Sequence, residues 1–293
     1  AGIVVGRAVV RDLHEGPQAQ RLMSRVMLIF ALAPALAPMV GAGLLAMAGW
    51  RAIFFFLALF GLALAWATWR FLPETLAEED RQPLHPLPLL RAYLRIFRHP
   101  AFMLLALGVA LNFNGFFLYV LSAPVFILEH LGLGSGGFVW LFGPAVGGMM
   151  IGSVLSERMA GRWSPVRTVG FGFVLMFAAV VANAAVSGLL VPGVPVSVLP
   201  IGLFSCGMAL ATPSMSLLGL EIFPERRGMA SSCQSFLQIG LNAASSARVA
   251  PVLWSAPLGL ASGMGMFAAL GLCAWLAWRR LGTGQGRVGE HIA

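Results

Sequence analysis

The polar residues best placed to do chemistry in this chain carry amides and hydroxyls rather than ionisable groups. Ser231, Gln234, Gln238, Asn242 and Ser245 recur at intervals of 3, 4, 4 and 3. At about 100° of helical rotation per residue they fall on one stripe about 80° wide. A second set, Asn112, Phe116 and Tyr119, recurs at 4 and 3, with Asn114 placed a little to one side. Groups of this kind hold a small molecule by hydrogen bonds and ring contacts; they neither activate a nucleophile nor bind a metal. All 11 acidic residues lie in polar connections or at segment ends, and no metal-ligand spacing, phosphate loop or nucleophile–base set is visible. Cys206, Cys233 and Cys273 each sit in an apolar stretch, form no disulfide framework and read as small packing residues. An enzyme is disfavoured, and no cofactor or metal is expected.

The elements that carry these stripes are set by composition. Only 10% of the residues are charged and 59% are hydrophobic, where a soluble domain has about 25% charged. So few charges cannot solvate a surface of this size in water, and lipid is the solvent that permits it. Crossing a hydrocarbon core of about 30 Å takes about 20 apolar residues as helix. The intervals free of charge are 25 residues between Arg25 and Arg51, 18 to Arg70, 30 between Arg98 and Glu129, and 27 to Glu157. A further 53 separate Arg167 from Glu221, which is two crossings joined by the turn-forming stretch SGLLVPGVPVS. Then come 20 between Arg227 and Arg248, and 30 to Arg279. The expectation is an all-α integral membrane protein with about eight complete spans and one partial span ending near Arg7.

The net charge of +8 is not a nucleic-acid footprint, because all 19 basic residues are arginines in short clusters between long uncharged runs. Alternate connections hold 17 of them, and the opposite set holds only Arg51 and Arg248. By the positive-inside rule the rich side, with the C-terminus, is cytoplasmic. Arg51 and Arg248 read as side chains snorkelling to headgroups or, alternatively, as gates of an outer vestibule. The longest connection, residues 73–100, opens with Glu74, Glu78, Glu79 and Asp80 and then reads LLRAYLRIFRHP. Leu90, Tyr93, Leu94 and Phe97 share one helical face and Arg91, Arg95 and Arg98 another, as in a helix lying on anionic headgroups.

Amides facing lipid tails are costly, so the polar stripes must face protein or water. Two readings stay open: they line an aqueous substrate cavity near the midplane, or they hydrogen-bond between helices. Asn183, alone near a segment end, reads as structural. Gly143 with Gly147, Gly148 with Gly152, and Gly259 with Gly263 make small-xxx-small pairs that let helices approach closely. Pro34 and Pro38, followed by Gly41, are expected to bend the first complete span.

The residues then resemble a family. RAVVRD, with Arg7, Arg11 and Asp12, the double-proline segment, and AGWRAIFFFLALFGL leading into FLPETL are similar to the fourth to sixth helices of Bcr/CflA-type drug–proton antiporters of the major facilitator superfamily. LYVLSAPVFILEHLGL, GSVLSERMAGR and TPSMSLLGLEIFPERRGMASSCQSFLQ resemble its seventh, eighth and tenth to eleventh helices. APALAPMVGA resembles the fifth-helix antiporter motif G-x-x-x-G-P-x-x-G-G: Pro38 and Gly41 match, while Ala33, Ala37 and Ala42 stand where the motif has glycine. A second family motif, G-x-x-x-D-R-x-G-R, is echoed at a different spacing by Ser156-Glu157-Arg158 and Gly161-Arg162.

The resemblance implies a twelve-helix frame of two six-helix halves. Residues 1–72 would be the end of the fourth helix with the fifth and sixth, 73–100 the cytoplasmic central loop with its interfacial helix, 101–280 the second six-helix bundle, and 281–293 a cytoplasmic tail. The chain starts inside an apolar segment, AGIVVG, without an initiator methionine. The expectation is therefore that the first three helices, with the family's proton-coupling carboxylate, precede it. The implied function is proton-driven export of drugs or other small amphipathic compounds by alternating access, in the bacterial inner membrane, by a monomer. Pro34, Pro38, Gly41, Arg7, Arg11 and Asp12 would serve gating; Gln234, Gln238, Asn242, Asn112, Phe116 and Tyr119 would line the cavity. The expected partners are a small-molecule substrate, protons and membrane lipids, with no nucleic acid. A metabolite facilitator stays open as an alternative; a scaffold or enzyme subunit is the reading from another class.

Overall fold

Long uncharged runs fold as helices here because a helix satisfies its own backbone where no water is at hand. The computed structural model describes residues 2–72, 74–75, 86–134 and 137–284, and among them there is no strand. The helices are α1 (Gly2–Leu13), α2 (Gly16–Ala48), α3 (Trp50–Phe71), α4 (Pro86–Phe97), α5 (Pro100–Leu121), α6 (Phe138–Met159), α7 (Pro165–Leu189), α8 (Leu199–Glu221), α9 (Arg227–Ala244), α10 (Ala250–Leu253) and α11 (Pro257–Gly284). A π-helical turn, Ser245–Val249, joins α9 to α10 as one rod. Helices stand at each of the eight expected spans, and α1 holds the partial one. Six of them, α3, α5, α6, α7, α8 and α11, are individually long and apolar enough to cross a membrane. This is a multi-pass membrane bundle.

The breaks between helices have local causes. Gly49, at φ 75°, separates α2 from α3, and Gly161, at φ 81°, makes the tight turn from α6 to α7. Pro165 opens α7 behind Ser164, whose Oγ accepts from the Arg167 amide at 3.4 Å. Pro100 opens α5 in the same way behind His99.

The core of the second block is built around α8, which has 20 of its 23 residues buried among α5, α6 and α7. Small residues allow this. A Cβ at Gly148 would collide with the Gly202 carbonyl, and one at Gly152 with that of Cys206. On the other side, a Cβ at Gly172 would sit 2.7 Å from the Gly207 carbonyl oxygen. Of the expected glycine pairs, Gly148/Gly152 thus faces α8, and Gly259/Gly263 packs against Leu253. Gly143 and Gly147 meet nothing within 4 Å. As a pair they lie about 140° round α6 from Gly148 and Gly152, and that rotation takes them off the contact.

The expected interfacial segment is helical at α4, but it is not an isolated surface helix. Ala92 and Ile96 are buried and Tyr93 and Phe97 are half-buried against α5 and α9, while Leu90 and Leu94 are exposed. Arg91, Arg95 and Arg98 are also exposed. Glu78, Glu79, Asp80 and residues 285–293 lie outside the described residues.

Candidate functional site

The amide stripe on α9 faces protein over most of its length. Ser231, Gln234 and Ser245 are buried, and Gln234 Nε2 donates to Ser216 Oγ of α8 at 3.2 Å. Gln238 and Asn242 are half-buried. They flank the middle of the rod formed by α9, the π turn and α10. Asn242 Oδ1 accepts from Asn114 Nδ2 of α5 at 2.8 Å, and the same nitrogen donates to the Ala110 carbonyl at 2.9 Å. Asn114 Oδ1 is buried and has no partner. Asn114 and Asn242 therefore make a polar contact between α5 and α9, and Gln238 stands one turn from Asn242 on the same face of α9.

The stripe on α5 points elsewhere. Asn112, Phe116 and Tyr119 are all buried inside the second block. Asn183 Nδ2 donates to Tyr119 Oη at 2.6 Å, which ties α7 to α5. Asn112 packs against Met215 of α8 and against Gly271 of α11, where a Cβ would strike its Oδ1. Interhelical packing, not an open cavity wall, is where the structure puts these three residues. Asn183 is the structural residue expected, but with a partner rather than alone. Asn114 corrects the sequence reading in the other direction. Two residues make about 200° of helix, so it sits on the face opposite Asn112 rather than beside it. Phe113 and Phe117, half-buried and stacked at 5.5 Å between ring centres, lie next to Asn114 round the helix. The 100° arithmetic applied from Asn114 would have found them.

A second constellation lies where α1 and α2 meet the second block. Arg11 Nη2 pairs with Glu221 Oε1 at 2.8 Å, and Arg227 Nη1 approaches Asp12 Oδ1 at 3.6 Å. Arg227 Nη1 also donates to the Arg11 carbonyl at 3.2 Å, and Thr75 Oγ1 donates to Asp12 at 3.2 Å. Two guanidinium groups and two carboxylates make this quartet neutral, which is what lets Arg11 be buried. One turn along α2, Gln20 Nε2 donates to the Ser156 carbonyl at 3.4 Å and Arg21 Nη2 to that of Ala160 at 3.3 Å. Arg25 then pairs with Glu157 at 2.6 Å. Val10, Ala19, Met23 and Leu217 form an apolar cluster in the same seam. All the described polar contacts across the seam lie at its arginine-rich end.

Arg11 and Asp12, expected in gating, are thus in the seam; so is Glu157 of the echoed loop motif. Glu221, Arg227 and Arg25 were missed, since no local signal links charges more than 100 residues apart. Helix α2 runs unbroken through Pro34 and Pro38, and Gly41 is half-buried on it. The side chains of Arg7, Pro34 and Pro38 lie outside the described parts. At the other end Arg51 stacks over Trp50 at 4.7 Å, and Arg248 is exposed. No group of three or more His, Cys, Asp or Glu that could hold a metal occurs among the described residues.

The sequence profile of the Major Facilitator Superfamily matches residues 1–247. Over 158 residues the chain is 28% identical to a Haemophilus influenzae protein named bicyclomycin resistance protein homolog, covering 54% of this chain and 40% of that one. Over 247 residues it is 30% identical to YdgK of Bacillus subtilis, named an uncharacterized MFS-type transporter, covering 82% and 60%. A Pseudomonas aeruginosa protein named chloramphenicol resistance protein is 27% identical over 223 residues, covering 73% and 51%. The chain spans about half the length of the curated relatives it matches. The resistance names agree with the resemblance to drug–proton antiporters that the motifs carry.

Proposed function

Because this chain belongs to the Major Facilitator Superfamily, we propose that the protein carrying it exports drugs or other small amphipathic compounds in exchange for protons. It does so as a monomer in the bacterial inner membrane, with the arginine-rich loops and the C-terminus in the cytoplasm. It is a multi-pass membrane protein of a transporter family, not an enzyme.

The observation that carries the export reading is the patch of Asn114, Gln238 and Asn242. These amides are held at mid-helix between two spans, next to the stacked Phe113 and Phe117. Amides supply donors and acceptors without charge, and phenyl rings supply apolar contact, so the patch suits compounds that are part polar and part aromatic. The seam supports alternating access: quartet and Arg25–Glu157 pair close the first block on the second at the cytoplasmic end. This arrangement is the outward-facing state of a carrier whose two blocks rock about the patch. Release of the seam would give the inward-facing one. Proton coupling rests on the family resemblance and the resistance-protein relatives.

The test replaces the half-buried amides in the protein as the cell makes it. Gln238→Leu and Asn242→Leu should each weaken chloramphenicol efflux by about tenfold, the worth of one hydrogen bond of 1–1.5 kcal/mol. Their amount in the membrane fraction should stay unchanged. Efflux at the wild-type rate by both variants would remove the patch from the substrate path.

A further inference from the structure

The cytoplasmic mouth of the seam holds a cleft that neither the patch nor the ion-pair lock explains. Its volume is about 430 Å³, and it is lined by Arg21, Arg25, Val154, Glu157, Arg158 and Arg162. Four guanidinium groups face one carboxylate there, and that carboxylate is already paired with Arg25. Arg21 is held by the Ala160 carbonyl. Arg158 and Arg162 are exposed and make no ion pair or side-chain hydrogen bond among the described residues. An excess of three positive charges is thus gathered on both sides of a seam that is closed in this structure. Like charges this close repel unless an anion comes between them.

What lies deeper along each wall says which anion. On α2 the residues Arg21, Arg25 and Ile29 follow one another at intervals of four, so they share one face. On α6 the sequence back from the turn is Arg162, Arg158, Val154 and Ile151, at intervals of 4, 4 and 3. Each wall passes within one turn from arginine to aliphatic, going from the helix end into the span. Ile29 is 68% exposed and Ile151 is 58% exposed. Trp163 is also exposed, at the turn where a tryptophan anchors to the headgroup layer. A free phosphate would use the arginines and leave the aliphatic walls bare; an amphiphile with an anionic head would use both.

We propose that the cleft between α2 and α6 is a binding site for one anionic phospholipid. Its phosphate lies among Arg21, Arg158 and Arg162, and its acyl chains run along Ile29, Val154 and Ile151. The lipid neutralises the surplus charge and bridges the two blocks, so it holds the cytoplasmic end shut together with the Arg25–Glu157 pair. Guanidinium groups suit this task because they bind phosphate oxygens in pairs and stay charged at any physiological pH.

The experiment titrates the purified protein, as the cell makes it, in neutral detergent with short-chain phosphatidylglycerol and follows its melting temperature. The wild type should be stabilised in a saturable manner. Replacing both Arg158 and Arg162 with Gln should weaken binding about tenfold or more. Both side chains are exposed, so the variant folds; its melting temperature without lipid checks this. The double variant R279Q/R280Q, which removes two arginines from another cytoplasmic helix end, should bind as the wild type does. Short-chain phosphatidylcholine should give no saturable shift. Inorganic phosphate that reproduces the shift would make the site one for a free anion and overturn the proposal. Equal weakening by R279Q/R280Q would reduce it to general charge attraction and overturn it too. Because the readout is binding, its outcome is independent of whether the protein exports drugs.

Discussion

Helices α3 and α8 are nearly equal in length, 22 and 23 residues, and both are apolar enough to cross a bilayer. By mean hydropathy α3 is the more apolar of the two. Yet α8 has 20 buried residues and α3 has none. The packing of α8 rests on side-chain size, whereas α3 packs chiefly on α2 in a chain that spans about half the length of its relatives. Helix α3 reads WRAIFFFLALFGLALAWATWRF and turns phenyl, indole and leucine side chains outward; Phe55 is 77% exposed. Helix α8 carries Gly202, Ser205, Cys206, Gly207, Ala209, Ala211 and Thr212, and its neighbours approach to backbone contact. In water the most apolar helix goes inside. In lipid there is no such drive, so the helix that goes inside is the one whose small residues allow the closest packing and whose hydroxyls need protein partners. Ser216 shows the second point: its Oγ accepts from Gln234 Nε2 of α9 at 3.2 Å.

The largest test of this contrast is Gly148→Leu. The new side chain would have to displace the α8 backbone at Gly202, and a loss of at least about 3 kcal/mol is expected, beyond ordinary overpacking. It would be read as loss of monodisperse protein on size exclusion in mild detergent. Gly143→Leu on the same helix faces open space and should change stability by about 1 kcal/mol or less. Equal damage by both would show that the α6–α8 approach is not what size controls.

A smaller effect is expected where α8 ends at the seam. Glu221→Gln leaves the buried Arg11 guanidinium without its carboxylate, and about 1–3 kcal/mol of seam closure should be lost. Ser24 is buried in the seam. A cysteine placed at Ser24, with Cys206, Cys233 and Cys273 replaced, should label several-fold faster in the Gln variant, consistent with that range. Unchanged labelling would mean that the apolar cluster around Met23 closes the seam by itself.

The smallest effect is reserved for α3. Phe55→Leu should leave the melting temperature almost unmoved, within about 0.5 kcal/mol. A larger loss would show that this face is covered by protein in the cell and would narrow the contrast with α8.

The seam and the patch differ in how far they could be read beforehand. Helix existence, span positions and the α9 stripe are local matters of composition and 3.6-residue periodicity, and the structure has helices where the charge-free intervals are. Gln234, Gln238 and Asn242 do share a face, and that face turns to α5 and α8. The α5 stripe was equally regular, but regularity says only which residues share a face, not which neighbour the face meets. Tyr119 therefore found Asn183, and Asn112 found Gly271.

By itself the sequence determined that this chain lives in lipid and where its helices run, and it holds the arginine asymmetry on which the proposed orientation rests. Each of these follows from the cost of placing charges and unpaired backbone groups in hydrocarbon, a cost paid residue by residue along the chain. Only the tertiary structure decided that α8 is the core of the second block. It alone brought Arg11 to Glu221, Arg227 to Asp12 and Arg25 to Glu157. Those outcomes depend on how small residues interlock and on charges more than 100 positions apart, and neither is recorded in any one stretch of chain.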